Sequence, residues 1–592
     1  MDKAKELLTK KQKFFLLLLV FANILLAIFE TIGIGALPVL LTNFVISDQA
    51  YLNNLYYKEI IKLDISNSNN FLLIFSILIF IFFLFKNIFF VFVKWFESSI
   101  AQSIMLNVSS ELFKGYVNLP YAQHQLKNPS IILRNITNES QNFTTLIVSF
   151  ASILRESLVV FFLFLLLFIN NKIISLSVFI FLLLALGIFY LSIKTGVFRR
   201  GQYVQNLMGD QLKLISQSFG AIKYIKIFNL ELSLNYKYYK NLKKILKQGI
   251  VLSILQTLPK LFLEILAVGS IIFIFLFAIY FKGMEPAYFI SFLALFSLIL
   301  IRIVPSFNVI SSALSLIQFH SASKNILIQE FKFIKQKIFK KKEYKLDRQS
   351  VNIFNKSLKL SNISFFYPGT KKNVLENISF DLKPNTSIAI IGETGAGKST
   401  LIDIILGLLQ PTRGKILIDG IPMKNKISAW QNILGFIPQD IYLDDDTIKK
   451  NIVFSDNKTD IDEIFLKQVL KLTLLDKFVN SLPKKIDTEI GNRGVRLSGG
   501  QIQRLGIARC LYRRPRVIVM DEATSSLDYQ SERLIIDSIN NIKHNTTFIT
   551  IAHRLSTIRK CDIIYFLREG RIIDQGSYNQ LKKRHRKFFL NL

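Results

Sequence analysis

Nine consecutive residues, Gly392-Glu393-Thr394-Gly395-Ala396-Gly397-Lys398-Ser399-Thr400, follow the apolar run SIAII and lead into another apolar stretch. A strand, a glycine-rich loop and a helix in that order form a phosphate-binding P-loop. The glycines let successive backbone amides converge on an anion, and the helix N-terminus already favours negative charge. Lys398 adds a point charge there, and the Ser399 hydroxyl can ligate Mg²⁺. Further on, the run VIVMDE ends in Asp521 and Glu522. Adjacent strand residues point to opposite faces, so both acids can serve one site only where the strand stops. Asp521 then suits the shell of a Mg²⁺ ion, and Glu522 suits polarisation of an attacking water as general base.

Just before that acidic strand stands Leu497-Ser498-Gly499-Gly500-Gln501-Ile502-Gln503-Arg504. With this segment beside the P-loop and the acidic pair, the chain resembles the ABC transporter family. The resemblance implies ATP and Mg²⁺ as cofactors. It also implies roles for Tyr367 as the aromatic that stacks on adenine, for Gln439 in FIPQD as a Q-loop ligand of the metal, for Ser525-Ser526-Leu527-Asp528 as the D-loop and for His553 as the switch histidine beside Glu522. In that family the signature segment of one subunit, here Ser498, Gly499, Gly500 and Gln501, caps the γ-phosphate held by the P-loop of the other. A homodimer with two equivalent, active composite sites is the expectation. One departure is Asn492 in TEIGNRG, where an acid is common; that segment usually contacts the membrane domain, so coupling contacts would differ in detail.

Composition states what must surround this chemistry. Of 592 residues, 51% are hydrophobic, 53 are Phe and only 19% are charged, and the mean hydropathy is +0.37. That is too apolar for an ordinary soluble protein. The formal charge of +33 would in a soluble chain raise nucleic-acid binding, but a membrane protein uses Lys and Arg to orient itself, and no nucleic-acid partner is expected. The two cysteines, Cys510 and Cys561, lack metal-ligand spacing and read as thiols in a reducing compartment.

Apolar runs place six spans near 14–44, 71–95, 145–169, 173–194, 251–281 and 287–312, each long enough to cross about 30 Å of hydrocarbon. The first follows five lysines within 13 residues and lacks a cleavage site, so it is a retained helix. The segments 98–140, 198–250 and 320–350 are rich in Lys and Arg, which puts them and both termini on the cytoplasmic side of the membrane. The two longer inner segments continue helical periodicity beyond the membrane. Past residue 357 short β-branched runs at 387–392, 415–420, 517–522 and 547–553 alternate with helices, the pattern of an α/β domain with a largely parallel sheet. The fold expected is a membrane all-α domain of six transmembrane helices with long cytoplasmic extensions, residues 1–330, a basic linker, 331–356, and an α/β P-loop NTPase domain, 357–592. Over its length this resembles a type IV ABC exporter half-transporter, and LPYAQHQLKNPS at 119–130 and SFGAIKYIKIF at 218–228 resemble its coupling helices.

Ionisable residues inside spans are costly and usually face a cavity. Glu30, Lys86, Lys260, Glu264 and Arg302 qualify, and Lys86, Lys260 and Arg302 could converge to bind a diphosphate; alternatively Lys86 and Lys260 snorkel or pair with Glu30 or Glu264. The segments FETIGIGALP (29–38), LRNITNE (133–139), LPKLFLE (258–264) and RIVPSFN (302–308) are similar to those of PglK-type lipid-linked oligosaccharide flippases. That resemblance implies a homodimer moving a membrane glycolipid, an undecaprenyl-diphosphate glycan, from inner to outer leaflet, with Lys86, Lys260 and Arg302 on the diphosphate. Lys in place of Arg at two positions weakens bidentate recognition there. It also implies a short external helix, for which Leu52, Leu55, Tyr56, Ile60 and Leu63 share a face interrupted by Glu59. An exporter of a drug, peptide or other lipid is the alternative, and an ATPase that gates a channel or partner is a remote one.

Overall fold

The computed structural model describes residues 7–45, 68–170, 172–280, 286–338, 353–370, 372–454, 461–491, 494–522, 534, 546–552 and 554–590. The chain divides into two compact units: Met1–Leu119 with Lys127–Phe339, and Pro120–Leu126 with Lys340–Leu592.

Among the described residues the first unit is built on six long helices: α1 (Lys10–Val45), α2 (Ser68–Val117), α3 (Ser140–Asn170), α4 (Lys172–Gly220), α5 (Glu231–Tyr280) and α6 (Pro286–Lys337). At about 1.5 Å per residue, the 50 residues of α2 or α5 run about 75 Å, more than twice the hydrocarbon thickness. The surplus must stand outside the membrane, as the continuous periodicity requires. Among the described residues five stretches are long and apolar enough to cross: Lys10–Leu37, Leu73–Val117, Pro129–Ile169, Glu231–Ile272 and Leu295–Lys337. The remaining expected span, 173–194, lies in α4, many of whose side chains there fall outside the described residues. So do the external segment at 46–67 and residues 339–352 of the basic linker, whose first part continues α6.

Lipid-facing and buried faces differ as a membrane demands. Leu84, Ile88 and Val91 of α2 are exposed, whereas Ala27, Leu163, Phe296, Ile299 and Phe307 pack α1, α3 and α6 into one core. A second core gathers Leu26, Ile104, Leu112, Phe143 and Leu327. Pro259 and Pro305 lie inside α5 and α6. Both inner turns expected to couple the units are helical, Tyr121–Leu126 and Ile222–Ile227. Pro129–Arg134 follows the first, started by Asn128, whose side chain accepts from the Ser130 N–H at 2.9 Å.

Among the described residues the second unit holds two sheets. Strands β1 (Leu358–Phe365), β2 (Leu375–Leu382), β4 (Arg413–Ile418) and β5 (Ile421–Pro422) form an antiparallel sheet in the order β2-β1-β4-β5. Strands β3 (Ser387–Gly392), β6 (Leu434–Ile437), β7 (Val517–Asp521), β8 (Thr547–Ile551), β9 (Ile563–Arg568) and β10 (Arg571–Gly576) form the other, ordered β10-β9-β3-β8-β7-β6 and parallel except at β10. β3 and β8 are buried throughout, which explains why both are mostly apolar or β-branched. The antiparallel sheet adds to the expected parallel one. Its strand β2 reads LENISFDL with alternating burial, because one face only is covered.

Candidate functional site

β3 ends at Gly392, and the loop enters helix α7 (Lys398–Ile405) through Gly397. Gly397 has φ 97°, and a Cβ there would lie 2.8 Å from Leu375 Cδ2 and 2.9 Å from the Val374 carbonyl. At Gly392 a Cβ would lie 2.1 Å from the Leu567 carbonyl, so neither position admits a side chain. Glu393, Thr394, Gly395 and Ser399 are exposed around the loop, while Ala396 and Thr400 are buried. Lys398 folds back and donates to the carbonyls of Gly392 at 2.8 Å and Glu393 at 3.0 Å. Burial holds its ammonium below the ordinary lysine range, against the opposing pull of Glu522 and Asp521. Tyr367, just past β1, stands edge-on to Phe365 and hydrogen bonds through its hydroxyl to Thr400 Oγ1 at 3.0 Å.

Asp521 is the last residue of β7, and Glu522 takes a left-handed φ of 51°. The strand therefore stops between them, the condition under which neighbouring acids can serve one site. Gln439 Nε2 donates to Glu522 Oε2 at 3.1 Å, bringing two distant motifs together. Sequence reasoning overlooked Asp403, on α7. Burial and then the Asp521 carboxylate push its carboxyl up to about 6. A lone acid in the apolar helix KSTLIDII was the available signal.

Ser498 begins helix α8 (Gly499–Tyr512) as its N-cap. Its hydroxyl accepts from the Gln501 N–H at 3.3 Å, and Gln501 Oε1 accepts from the Ser498 N–H at 2.8 Å, a capping box. Ser498 and Gly499 are exposed. α8 is anchored through Leu505, Ile507 and Ala508 in one core cluster, whereas Leu401 and Ile404 of the P-loop helix belong to another. Cys510 lies on the buried face of α8, where burial pushes its thiol up to about 12 and leaves it inert. His553, Ser525–Asp528 and Asn492 lie outside the described residues.

In the helical unit the three singled-out cations do not form one ring in this chain. Arg302 pairs with Glu30, and Lys86 Nζ lies 3.7 Å from the same carboxylate. Lys260, about half exposed, pairs instead with Glu264 one turn along its own helix at 3.6 Å. Glu97, Arg155 and Glu156, which sequence reasoning passed over, are each about 95% buried and continue the ion pairs from Arg302. An Arg-Glu doublet inside the apolar run ILRESLVV was the signal for Arg155 and Glu156.

Residues 20–304 match the model described as ABC transporter transmembrane region, and residues 375–525 the model described as ABC transporter. The heterocyst differentiation ATP-binding protein HepA of Nostoc sp. is 30% identical over 506 residues, 84% of this chain and 80% of that protein. The chain belongs to the ABC transporter family. This ABC transporter is also 39% identical over 238 residues to a multidrug resistance ABC transporter ATP-binding and permease protein of Lactococcus lactis, and 39% over 225 residues to an ATP-dependent lipid A-core flippase of Pseudomonas aeruginosa. Those matches span only 40% and 37% of the relatives' lengths. A bacterial Atm1-family ABC exporter solved with ATP bound has the same fold, with a TM-score of 0.78 and 22% identity over 96% of each chain.

The ATP-binding domain that this transporter shares with its family implies ATP hydrolysis coupled to transport. The residues named for Mg²⁺ fit a hard cation: a hydroxyl at Ser399, a carboxylate at Asp521 and the amide oxygen of Gln439, whose nitrogen is the group turned to Glu522.

Proposed function

We propose that this ABC transporter is a half-exporter working as a homodimer in a bacterial inner membrane, with both termini cytoplasmic, and that its cargo is a polyprenyl-diphosphate-linked oligosaccharide moved from inner to outer leaflet. The observation that carries the cargo assignment is the meeting of Lys86 and Arg302 at Glu30 on helices that cross the membrane. Cations inside spans are kept where an anion must be handled, and a diphosphate offers oxygens for a guanidinium and an ammonium together. A relative named as a lipid A-core flippase supports a lipid cargo; relatives named for multidrug resistance support the alternative of a drug.

In this reading Lys398, Thr394 and the amides of Gly395 to Thr400 hold the β- and γ-phosphates, and Tyr367 stacks on the adenine after giving up Thr400. Mg²⁺, held by Ser399, Gln439 and Asp521, supplies charge neutralisation on the phosphates. Glu522 takes the proton of the attacking water, oriented by Gln439, and His553 completes the site at the γ-phosphate. The exposed start of α8 offers Ser498, Gly499, Gly500 and Gln501 to the partner's nucleotide, which is why one chain does not complete a site. Closure of two such sites would reach the membrane helices through 119–130 and 218–228 as a rigid-body change.

Leaflet reorientation in vesicles reconstituted with the full-length protein tests the cargo, using polyprenyl-diphosphate glycan and a cationic drug as rivals. ATP-dependent movement of the glycolipid is expected. ATP hydrolysis without any change in its leaflet distribution, with drug transport instead, would overturn the assignment.

A further inference from the structure

The two cations offered to the cargo are already occupied. Arg302 donates from Nε to Glu30 and from Nη1 to Ser306 Oγ at 2.9 Å, and its Nη2 lies 3.4 Å from Glu156 Oε2. Lys86 reaches the other oxygen of Glu30 at 3.7 Å. Beyond Arg302 the pairs continue: Arg155 Nε donates to Glu156 at 3.1 Å, Arg155 Nη1 to Glu97 at 2.6 Å, and Lys94 to Glu97 at 3.1 Å. The signs alternate along Lys86, Glu30, Arg302, Glu156, Arg155, Glu97 and Lys94, through α1, α2, α3 and α6. Lys94 and Glu97 then form part of the wall of a cavity of about 590 Å³, with Gln102, Gln141, Thr144 and Asn308.

The two carboxylates at Arg302 are held differently. Glu156 keeps Arg155 and accepts from Ser306 Oγ at 2.9 Å, so it stays satisfied if Arg302 leaves. Among the described residues Glu30 pairs with Lys86 and Arg302 and with nothing else. Any anion that reaches those cations therefore exchanges with Glu30. Four cations and three carboxylates give the cluster a formal charge of +1. With Glu30 withdrawn it is +2, which a diphosphate diester with two charges neutralises. A monophosphate diester carries one charge and returns the cluster only to the +1 it had before.

We infer that Glu30 is a resident counter-anion that cargo must displace, and that it selects a diphosphate over a singly charged phosphate headgroup. The inference rests on the diphosphate reading above and adds to it a residue that sets specificity. Glu30 touches the cations and competes with cargo; discrimination arises because the weaker anion gains nothing by the exchange. The same carboxylate returning to Arg302 and Lys86 favours release at the end of the cycle.

The test uses full-length protein in liposomes, with ATPase stimulation titrated by polyprenyl-diphosphate glycan and separately by polyprenyl-monophosphate glycan. Wild-type protein should respond to the diphosphate and weakly to the monophosphate. Glu30→Gln should lower the half-maximal concentration of the monophosphate lipid by about tenfold, the scale of one charge-assisted contact, and shrink the ratio between the two lipids. Glu30→Asp, which keeps the charge at shorter reach, should move the ratio the same way by less, and remains informative where the Gln variant folds poorly. Glu30→Gln with Lys86→Gln returns the formal charge to +1 and should undo the gain for the monophosphate. A wild-type response to diphosphate with an unchanged ratio in both Glu30 variants would overturn the inference alone. Wild-type protein that neither moves nor responds to the diphosphate lipid would overturn the cargo reading, and the inference with it.

Discussion

At the P-loop, the charged group reaches a short distance along the chain. Lys398 bends back to carbonyls six and five residues earlier, and Asp521 and Glu522 are adjacent. In the helical unit the pairs that join one helix to another are far apart in sequence: Arg302 and Glu30 are separated by 272 residues, and Arg155 and Glu97 by 58. The difference follows from what holds the charge. A P-loop uses backbone groups, which the chain brings along wherever it turns, so its residues must be contiguous. Membrane helices have spent their backbone groups on themselves, so a buried cation is matched by a side chain from another helix. Local chemistry leaves a motif; dispersed chemistry leaves scattered charges.

The contrast is sharpest at Glu522. If Glu522 is the general base, Glu522→Gln should lower phosphate release by at least about 10²-fold while ATP is retained; normal turnover would remove Glu522 as the base. Dispersed pairing should instead show itself in stability. Arg155→Ala leaves Glu97 and Glu156 buried without their shared cation, and is expected to cost about 3–5 kcal/mol, read as a fall in the melting temperature of purified protein. A double-mutant cycle with Glu97→Gln should be non-additive, by about 0.5–3 kcal/mol; strict additivity would mean that the two do not act as a pair.

Smaller effects test the backbone side of the comparison. Gly397→Ala places a Cβ against Leu375 and the Val374 carbonyl at a left-handed φ, and should cost about 1–3 kcal/mol and weaken ATP binding. Burial pushes the Asp419 carboxyl up, but the backbone N–H groups of Asn355, Lys356, Ser357 and Phe354 outweigh this and hold it below the ordinary range. Such a carboxyl contributes stability above its unfolded value of 3.8, and loses it as pH falls through the lower folded value. Asp419→Asn should cost about 1 kcal/mol at neutral pH, allowing for solvent screening, and the two melting curves should converge below pH 3.8.

The same division governed what could be read from residues alone. The runs at 387–392, 517–522 and 547–553 correspond to β3, β7 and β8, largely buried strands of the parallel sheet, whereas the run at 415–420 is β4 of the antiparallel sheet. The antiparallel sheet was missed although β2 alternates, since half-covered strands carry weaker signals than buried ones. Gln439 and Glu522 were each legible as motif members, but their hydrogen bond depends on how two strand ends meet. Lys86 and Arg302 stood out as cations in apolar runs; Glu156 did not, because its worth comes from Arg302 on a different helix.

Pro259 and Pro305 carry a mechanical consequence. A proline has no N–H for the carbonyl four residues back, so the rungs to Leu255 and Ile301 are missing from α5 and α6. Bending an intact helix strains several rungs at once, whereas at these points one is already gone, and each helix acts as two stiff rods with a compliant joint. Lys260 is the residue after one joint, and Arg302 lies three before the other. A flexure of either rod therefore re-aims a cation, converting a deformation of the helices into a change of electric field around Lys260 and Arg302.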